Sequence, residues 1–373
     1  MSASLYVGLM TGTSADGIDA CLASFPENRP VEHANLQRPF GDALRERILA
    51  VCRADATLAD AATLDIELAD ASASAVTELL SRAGIAAADV RAIGSHGQTV
   101  LHRPEGSAPT TIQLGDPHRL AVLTGIDTVA DFRRADVAAG GEGAPLAPAF
   151  HAQVFAAEAE RRAVVNLGGI ANVTLLRPGE PVLGFDTGPA NVLLDAWIGR
   201  QQVERFDAEG AWAAGGQVVA GLLERMCADP WFQRPPPKST GRELFHAGWL
   251  DAHLTHTDPQ PAPRDVQATL AELTARTVAE GIQQAGRVDR VLVCGGGAYN
   301  PDLLARLQRR LDGPPVETTA EYGIAPNHVE AMAFAWLARQ RIAERPGNCP
   351  SVTGASRDLI LGSLIRAPGV AKG

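Results

Sequence analysis

Residues Leu5–Phe25, LYVGLMTGTSADGIDACLASF, decide the fold that this sequence predicts. Two apolar runs, Leu5–Met10 and Ile18–Phe25, predict two β-strands, and the segment Thr11–Gly17 between them is rich in glycine and small hydroxyl residues. The pattern therefore predicts a hairpin with a permissive, polar tip. Such a tip can aim several backbone N–H groups at one point, which is the arrangement that binds a phosphate.

Two carboxylates, Asp16 and Asp19, lie in or beside this turn. Acidic side chains repel a bare phosphate, so their presence predicts a divalent cation at the same place. The alternative is an ordinary hairpin whose polar tip is only solvated.

The composition narrows the class of protein. The chain has 373 residues, 46% apolar and 20% charged, which is long enough for two domains and typical of a soluble globular protein. A formal net charge of −10 provides no basic surface for nucleic acid. No apolar run reaches the length of about 18 residues that spans a membrane, and the N-terminus MSASLYVG does not read as an export leader. The five cysteines are scattered without CxxC spacing, so we expect a reducing cytoplasm rather than disulfides or zinc.

A second hairpin repeats the first. Residues 163–176, AVVNLGGIANVTLL, place Asn166, Gly168 and Gly169 between two apolar strands. Two similar hairpins suggest two related halves that close on one ligand.

A strand, three glycines and a helix follow later in the chain. Strand Arg290–Cys294 leads into Gly295, Gly296 and Gly297, and Asn300 and Pro301 are placed as N-cap and first residue of the next helix. Glycines at this corner allow a flat base or a ribose to approach the backbone closely. The unit is not a dinucleotide fingerprint, because it lacks the last glycine of GxGxxG.

Polar side chains follow two further predicted strands. His96 and Gln98 come after Val90–Gly94, at the end of the strand where α/β sheets bind ligands. Arg133 follows Thr128–Asp131 and precedes a glycine loop, which suits a guanidinium that holds a carboxylate or a phosphate. The alternatives are a histidine bonded to loop carbonyls and an Arg–Asp pair that pins the linker.

Asp186 is the candidate general base. In VLGFDTGPANVLLDAWIG (182–199) it ends the predicted strand Val182–Phe185 and precedes the predicted helix Asn191–Ile198. A helix dipole favours an ionised carboxylate, the form that a base requires. The alternative is a simple N-cap or turn aspartate. Lys238, in PPPKSTGRELF, is not part of a Walker A loop, because neither the glycine five residues before it nor a preceding strand is present.

In this order, GLMTGTSADGIDA, SHGQTVLH, the segment around Arg133, FDTGPAN and KSTG resemble the anhydro-N-acetylmuramic acid kinases. These are bacterial enzymes of the sugar kinase/Hsp70/actin superfamily. The resemblance covers essentially the whole chain. Thr11 stands where the family usually has serine, and Ala15 where a bulkier residue is common; both changes keep the character of the turn.

The resemblance implies an α/β, two-domain actin-like ATPase (ribonuclease H-like) fold with an active-site cleft between the domains. We expect residues 1–133, joined by a returning tail of about 346–373, to form the first domain, and residues 134–345 to form the second domain with the adenosine motif.

The resemblance also assigns the site residues. Asp186 is the expected catalytic base, and a magnesium ion is expected near Asp16, Asp19 or Asp186. The expected substrate-binding residues are His96, Gln98, Arg133 and Glu330. The expected ATP-binding residues are Gly12, Thr13, Ser14, Ala15, Asp16, Gly17, Ile18, Asp19, Asn166, Gly168, Gly169, Gly295, Gly296 and Gly297. Glu330 could also be an ordinary acid in the first turn of its helix.

The implied reaction uses ATP and Mg²⁺ on 1,6-anhydro-N-acetylmuramic acid, in peptidoglycan recycling. A water activated by the base opens the anhydro bridge, and O6 takes the γ-phosphoryl group. The implied protein is a cytoplasmic homodimer that binds neither nucleic acid nor membrane.

Two other classes of protein share some of these motifs. Asp186-Thr187-Gly188 resembles the D-T-G of aspartic proteases, but those enzymes need two such carboxylates and an all-β fold. A non-catalytic ATP-binding regulator would keep the glycine motifs without needing Asp186, and a DNA-binding one would carry a basic helix-turn-helix, which this sequence lacks.

Overall fold

The computed structural model of the protein describes residues 4–12, 15–202, 204–236, 238–241 and 244–368. Its contacts divide the chain into a first unit, Met1–Val154 with His328–Gly373, and a second unit, Phe155–Asn327. No helix within these described ranges is long and apolar enough to cross a membrane.

The strands are β1 (Leu5–Met10), β2 (Gly17–Ser24), β3 (Val31–Pro39), β4 (Val90–Ser95), β5 (Gln98–Arg103), β6 (Thr110–Leu114), β7 (Thr128–Ala130), β8 (Arg162–Leu167), β9 (Ile170–Leu176), β10 (Leu183–Pro189), β11 (Arg290–Cys294), β12 (Val316–Thr318) and β13 (Ser363–Ile365). The α-helices are α1 (Asp42–Cys52), α2 (Leu58–Ala83), α3 (Pro117–Thr124), α4 (Arg134–Ala138), α5 (Ala147–Phe155), α6 (Asn191–Gln202), α7 (Ala211–Ala214), α8 (Ala220–Cys227), α9 (Ala247–Thr255), α10 (Pro263–Ala285), α11 (Pro301–Leu311), α12 (Val329–Ile342) and α13 (Pro350–Thr353).

Five strands of the first unit follow the same order as the five strands of the second, and the first unit adds β13 beside β7. In the first unit the sheet runs β13-β7-β4-β1-β2-β3, and in the second it runs β10-β9-β8-β11-β12. In each, an antiparallel meander of three strands lies beside two strands that run parallel to its first strand. The predicted α/β class is confirmed, and the similar hairpins β1–β2 and β8–β9 occupy equivalent places in the two sheets.

Local sequence signals explain the long helix α2. Thr57 and Asp60 form a reciprocal capping box at its start, and Gly84 adopts a left-handed conformation at its end. Leu64, Leu68 and Leu79 on one face are buried, as their helical spacing predicts.

Helix α12 packs closely on the sheet of the first unit. A Cβ atom at Gly8 of β1 would overlap the carbonyl oxygen of Ala331, and one at Gly94 of β4 would overlap that of Phe334. The small residues of α12 therefore serve helix-on-sheet contact within the first unit. This placement differs from the expectation that residues 327–343 belong to the second domain.

The domain boundaries also differ from those expected from the sequence. The first unit continues to Val154 rather than residue 133, and the chain returns to it at His328 rather than near residue 346. The reason lies in contacts between distant segments: the rings of Phe150 and Trp336 lie 6.0 Å apart, and buried Asp136 accepts hydrogen bonds from Asn348 (3.0 Å) and Thr353 (2.9 Å). The expected boundaries would place Asp136 in the second domain and its partners Asn348 and Thr353 in the first.

Candidate functional site

The tip of the β1–β2 hairpin is a tight turn. Ala15 is buried with φ of +53°, and its N–H donates to the Gly12 carbonyl over 3.1 Å. Gly17 lies so close to β3 that a Cβ there would overlap the Arg38 carbonyl oxygen. Asp16 is exposed and pairs with Arg45 (3.2 Å). Thr13 and Ser14, both expected to bind ATP, lie outside the described residues.

Asp19 and Glu330 are electrostatically coupled. Burial raises the pKa of the Asp19 carboxyl, opposed by a hydrogen bond from Gln37, and the Asp16 charge adds to the rise. Burial likewise raises the pKa of the Glu330 carboxyl, and the charge of Asp19 raises it further. Glu330 lies in the first turn of α12. The charges that act on its carboxyl are those of Asp19, in the β1–β2 hairpin, and Arg133.

Arg133 joins His96 to this group. Its Nε and Nη2 atoms donate to His96 Nε2 over 3.1 and 2.8 Å, and its Nη1 donates to the Gly143 carbonyl over 2.7 Å. Because a guanidinium can only donate, Nε2 of His96 must be an acceptor and the imidazole is neutral. Burial first, and then the Arg133 charge, hold the pKa of His96 well below its usual value. Burial lowers the pKa of Arg133 to about 10, while Glu330 and Asp136 oppose the shift.

These contacts do not decide between the two alternatives for this segment, because hydrogen bonds with the backbone of Gly97 and Thr11 also act on the His96 ring. His96 receives its side-chain hydrogen bonds from Arg133. Asp136 accepts from the Gly143 N–H (2.8 Å) and from the C-terminal segment, so it anchors the glycine loop while Arg133 is directed to His96.

Gln98 begins β5 beside this cluster. The residue is buried, its Nε2 donates to the Thr99 carbonyl over 3.2 Å, and its Oε1 has no hydrogen-bond partner among the described residues. A buried amide oxygen without a partner is costly unless a ligand donates to it.

The first unit thus gathers Asp19, His96, Arg133 and Glu330 into one cluster. A partly desolvated guanidinium beside a neutral imidazole can hold an anion with hydrogen bonds as well as charge. The sequence suggested each residue but contained no signal that Glu330 and Asp19 would be neighbours.

In the second unit, the start of α6 holds the tip of the β8–β9 hairpin. The Asn191 N–H donates to the Gly168 carbonyl over 3.1 Å, and the Val192 N–H donates to the Gly169 carbonyl over 3.0 Å. The Asn191 side chain donates to the Leu167 carbonyl over 2.9 Å. The sequence indicated Asn191 only as the first residue of a helix, and the structure places its side-chain amide at the tip of this hairpin.

The glycines after β11 lie against the same hairpin. Gly295 has φ of +80°, and a Cβ there would overlap the Asn166 side-chain oxygen. A Cβ at Gly297 would lie 2.6 Å from Leu167 Cβ, whereas at Gly296 the nearest such atom is Asn191 Nδ2 at 3.7 Å. Gly295 and Gly297 therefore allow the corner to pack, whereas a Cβ at Gly296 would make only ordinary van der Waals contact. The candidate nucleotide residues of this unit lie next to one another at the ends of β8 and β11. The predicted Asn300 N-cap is confirmed, since its Oδ1 accepts from the Leu303 N–H over 2.9 Å.

Asp186 lies within a strand rather than at the end of one. Strand β10 extends to Pro189, with a register shift against β9 between Asp186 and Gly188, and α6 begins only at Asn191. The expected adjacency to a helix N-terminus is therefore corrected. A different donor supports the carboxylate: the Thr240 N–H donates to Asp186 Oδ2 over 2.9 Å.

The carboxylates near the hairpin tip decide which kind of magnesium site fits this chain. The described part of the chain has no group of three or more His, Cys, Asp or Glu residues that could hold a metal ion. Mg²⁺ is usually bound by only one or two carboxylates together with substrate phosphates. Asp16 and Asp19, whose charges repel each other, fit that requirement.

Comparison with known proteins gives a family and a fold. A family model described as anhydro-N-acetylmuramic acid kinase matches residues 4–367. Component A of (R)-2-hydroxyglutaryl-CoA dehydratase from Acidaminococcus fermentans is 13% identical, with 91% of this chain and 100% of that chain covered and a TM-score of 0.52.

A glucokinase of the ROK family from Streptomyces griseus, solved with glucose and AMPPNP, is 15% identical, with 90% of this chain and 100% of that chain covered and a TM-score of 0.41. Because the dehydratase component is only 13% identical, its similarity indicates the fold of this chain and nothing about its activity. The α/β architecture, with five strands in the same order in both units, is the expected actin-like ATPase fold. An all-β aspartic protease is excluded by this architecture.

Proposed function

The chain belongs to the anhydro-N-acetylmuramic acid kinase family, and from this membership we propose that it opens the 1,6-anhydro ring of anhydro-N-acetylmuramic acid by hydrolysis and phosphorylates O6. The products are N-acetylmuramic acid 6-phosphate and ADP. The observation that carries the proposal is the extent of the family match, residues 4–367, which includes both glycine-bearing hairpins and Asp186. An ATP-dependent sugar kinase is the coarser statement that the family supports directly.

For the nucleotide, phosphoryl transfer requires positioning and charge neutralisation more than covalent chemistry. The tip residues Gly12 to Asp19 and the second-unit residues Asn166, Gly168, Gly169 and Gly295 to Gly297 are proposed to bind ATP. Support comes from the tightly turned Ala15 and from the glycine corner, where a Cβ at Gly296 would meet no atom closer than 3.7 Å. Asp16 and Asp19 would hold Mg²⁺, whose charge neutralises the phosphates when it is bound.

For the sugar, the substrate carries a lactyl carboxylate that needs a cationic partner. Arg133 is proposed to bind it, because this guanidinium is partly desolvated and oriented by His96 and Gly143. Gln98 and Glu330 are proposed to contact the sugar's polar groups. The unpartnered Oε1 of Gln98 and the coupled Glu330 carboxyl favour such contacts.

For the chemistry, Asp186 is proposed as the general base. It would take a proton from the water that attacks the anomeric carbon, so that the C1–O6 bond breaks and O6 receives the γ-phosphoryl group. The hydrogen bond from the Thr240 N–H supports this role, because a donor to a carboxylate favours its ionised form.

The wider setting follows from the proposed substrate. Anhydro-N-acetylmuramic acid is a fragment of bacterial cell wall, so we propose a role in peptidoglycan recycling in the bacterial cytoplasm. A homodimer is proposed on the family's behaviour alone.

The test is product identification by mass. The protein is incubated with ATP·Mg²⁺ and anhydro-N-acetylmuramic acid in ¹⁸O-enriched water. The expected product has gained one phosphate and one labelled water. A phosphorylated product without added water would limit the activity to simple phosphorylation, and no product at all would contradict the proposed substrate.

A further inference from the structure

The loop after Pro236 contacts Asp186 at two places. The Asp186 N–H donates to the Lys238 carbonyl over 2.9 Å, and the Thr240 N–H donates to the Asp186 carboxylate over 2.9 Å. Strand β10 ends the five-stranded sheet, so these residues use a backbone edge that the sheet leaves available. The orientation of the carboxylate therefore depends on where this loop lies.

Lys238 and Trp231 fasten the loop to the rest of the second unit. The Lys238 ammonium donates to the Phe232 carbonyl over 3.0 Å and lies 4.5 Å from the centre of the Trp231 ring. The Trp231 indole N–H donates to the Ser239 carbonyl over 3.4 Å. Residues 238–240 are thus held from both the side chain and the backbone.

The anchor itself is well packed. Trp231 is buried, and its ring contacts that of Phe245 edge-on at 5.4 Å. Asp229 accepts from the Trp231 N–H and from the Trp249 indole, each over 2.9 Å. A cation held over such a fixed ring is attracted to the negative face of the ring.

The identity of the cation is informative. The chain has 33 basic residues, and all except Lys238 and Lys372 are arginines. A compact ammonium group differs from a guanidinium in that burial changes its charge state readily. Burial, followed by the Arg234 charge, lowers the pKa of Lys238, and the Asp186 charge raises it. The Asp186 carboxylate and the Lys238 ammonium group therefore interact electrostatically.

We propose that Lys238 is a positioning residue for Asp186: its ammonium group holds the 238–240 backbone against β10, so that the Thr240 N–H orients the carboxylate and keeps it ionised. This inference rests on the proposed function, in which Asp186 is the base. Lys238 acts through the loop and does not bind the phosphates, in contrast to the lysine of a Walker A loop.

The first experiment measures pH–rate profiles of Lys238→Met and Lys238→Arg. Lys238→Met should lower kcat at least about 10-fold and move the acidic limb of the kcat profile upward by about one pH unit, with less than about 3-fold change in the KM for ATP. Lys238→Arg keeps the charge and should restore the acidic limb. Arg234→Met, which removes an exposed neighbouring cation without touching the anchor, is the matched control and should leave the limb in place.

Two results would overturn the inference. One is a Lys238→Met enzyme with an unshifted acidic limb, which would reduce Lys238 to a structural role. The other is a large rise in the KM for ATP with the limb unchanged, which would indicate direct phosphate binding. Thermal unfolding and nucleotide binding on the same preparations exclude a simple loss of fold.

The second experiment needs no turnover. Amine-specific acylation, followed by peptide mass analysis, measures the extent of labelling of Lys238, with the labelling of Lys372 as an internal reference. In Asp186→Asn the loss of the negative charge should lower the pKa of Lys238 and increase its labelling at pH 8.5 by about 2- to 5-fold. Unchanged labelling contradicts the coupling. If Asp186→Asn turned over at the wild-type rate, the proposed base would fail separately, whatever the labelling showed.

Discussion

The first and second units arrange five strands in the same order but place different chemistry at the strand ends. After β4 and β7, the first unit presents the charged and titratable side chains His96 and Arg133. After β8 and β11, the second unit presents glycines and the Asn191 amide. The shared topology supplies equivalent positions, and the residues at those positions decide which ligand chemistry each unit can serve.

The difference has an energetic signature. In the first unit, burial lowers the pKa of His96 and Arg133 and raises that of Glu330, so desolvation of charge is a cost there. In the second unit, the constraint around the glycines is steric, since side chains at Gly295 and Gly297 would collide with the neighbouring hairpin. Substitutions at these positions should therefore act through electrostatics in the first unit and through steric clashes in the second.

Asp186→Asn should have the largest effect, because it removes the carboxylate proposed as the general base. Removal of a general base costs about 10²- to 10⁴-fold in rate. We expect kcat to fall within that range while ATP binding, measured by calorimetry, stays within about 2-fold. Asp251→Asn, which removes an exposed carboxylate paired with Arg200, is the control. Wild-type kcat in Asp186→Asn would refute the base assignment.

Arg133→Met tests the charged cluster of the first unit. The loss of a hydrogen-bonded charge contact costs about 1.5–3 kcal/mol, so the KM for the sugar should rise about 10- to 100-fold. The KM for ATP should change little. Arg134→Met is a neighbouring control, since that side chain is 60% exposed. Equal losses for both substrates would show that Arg133 supports the fold rather than the sugar.

Gly295→Ala and Gly296→Ala compare a constrained glycine with an unconstrained neighbour in the second unit. Gly295 has φ of +80° and no room for a side chain, whereas a Cβ at Gly296 would meet no atom closer than 3.7 Å. Gly295→Ala should lower the free energy of unfolding by about 1–3 kcal/mol, and Gly296→Ala should lower it by less than about 1 kcal/mol. Urea denaturation measures both. Equal destabilisation would contradict the close contact of this corner with the β8–β9 hairpin.

The smallest effect concerns pH and the buried histidines of the first unit. Burial lowers the pKa of His151 to about 3 and that of His96 well below its ordinary value. A group whose pKa is depressed by folding contributes stability that is lost as pH falls below its unfolded value of about 6.5. His151→Gln should therefore reduce the loss of unfolding free energy between pH 7 and 5.5 by about 1 kcal/mol.

The control for this pH effect is His118→Gln, which changes an exposed histidine. Urea titrations at the two pH values should give the same pH-dependent loss for this variant as for the wild type. A His151→Gln protein with an undiminished loss would contradict the neutral, buried state of His151.

Much of the local structure could be predicted because its causes are local. The Gly84 C-cap and the Asn300 N-cap depend on residues within one or two turns of each helix. The position of Asp186 could not be predicted in this way. The strand and helix propensities of FDTGPAN do not reveal that β10 continues to Pro189, since its pairing with β9 decides where it ends.

The sequence by itself determined the α/β class, the two glycine-tipped hairpins and most of the candidate residues, because periodicity and glycine placement express short-range physics. Only the tertiary structure decided which residues meet. The partners of Asp136 and Asp186 lie far along the chain, at Asn348 and Thr240. Such contacts are selected by the packing of whole elements, for which a local pattern contains no signal.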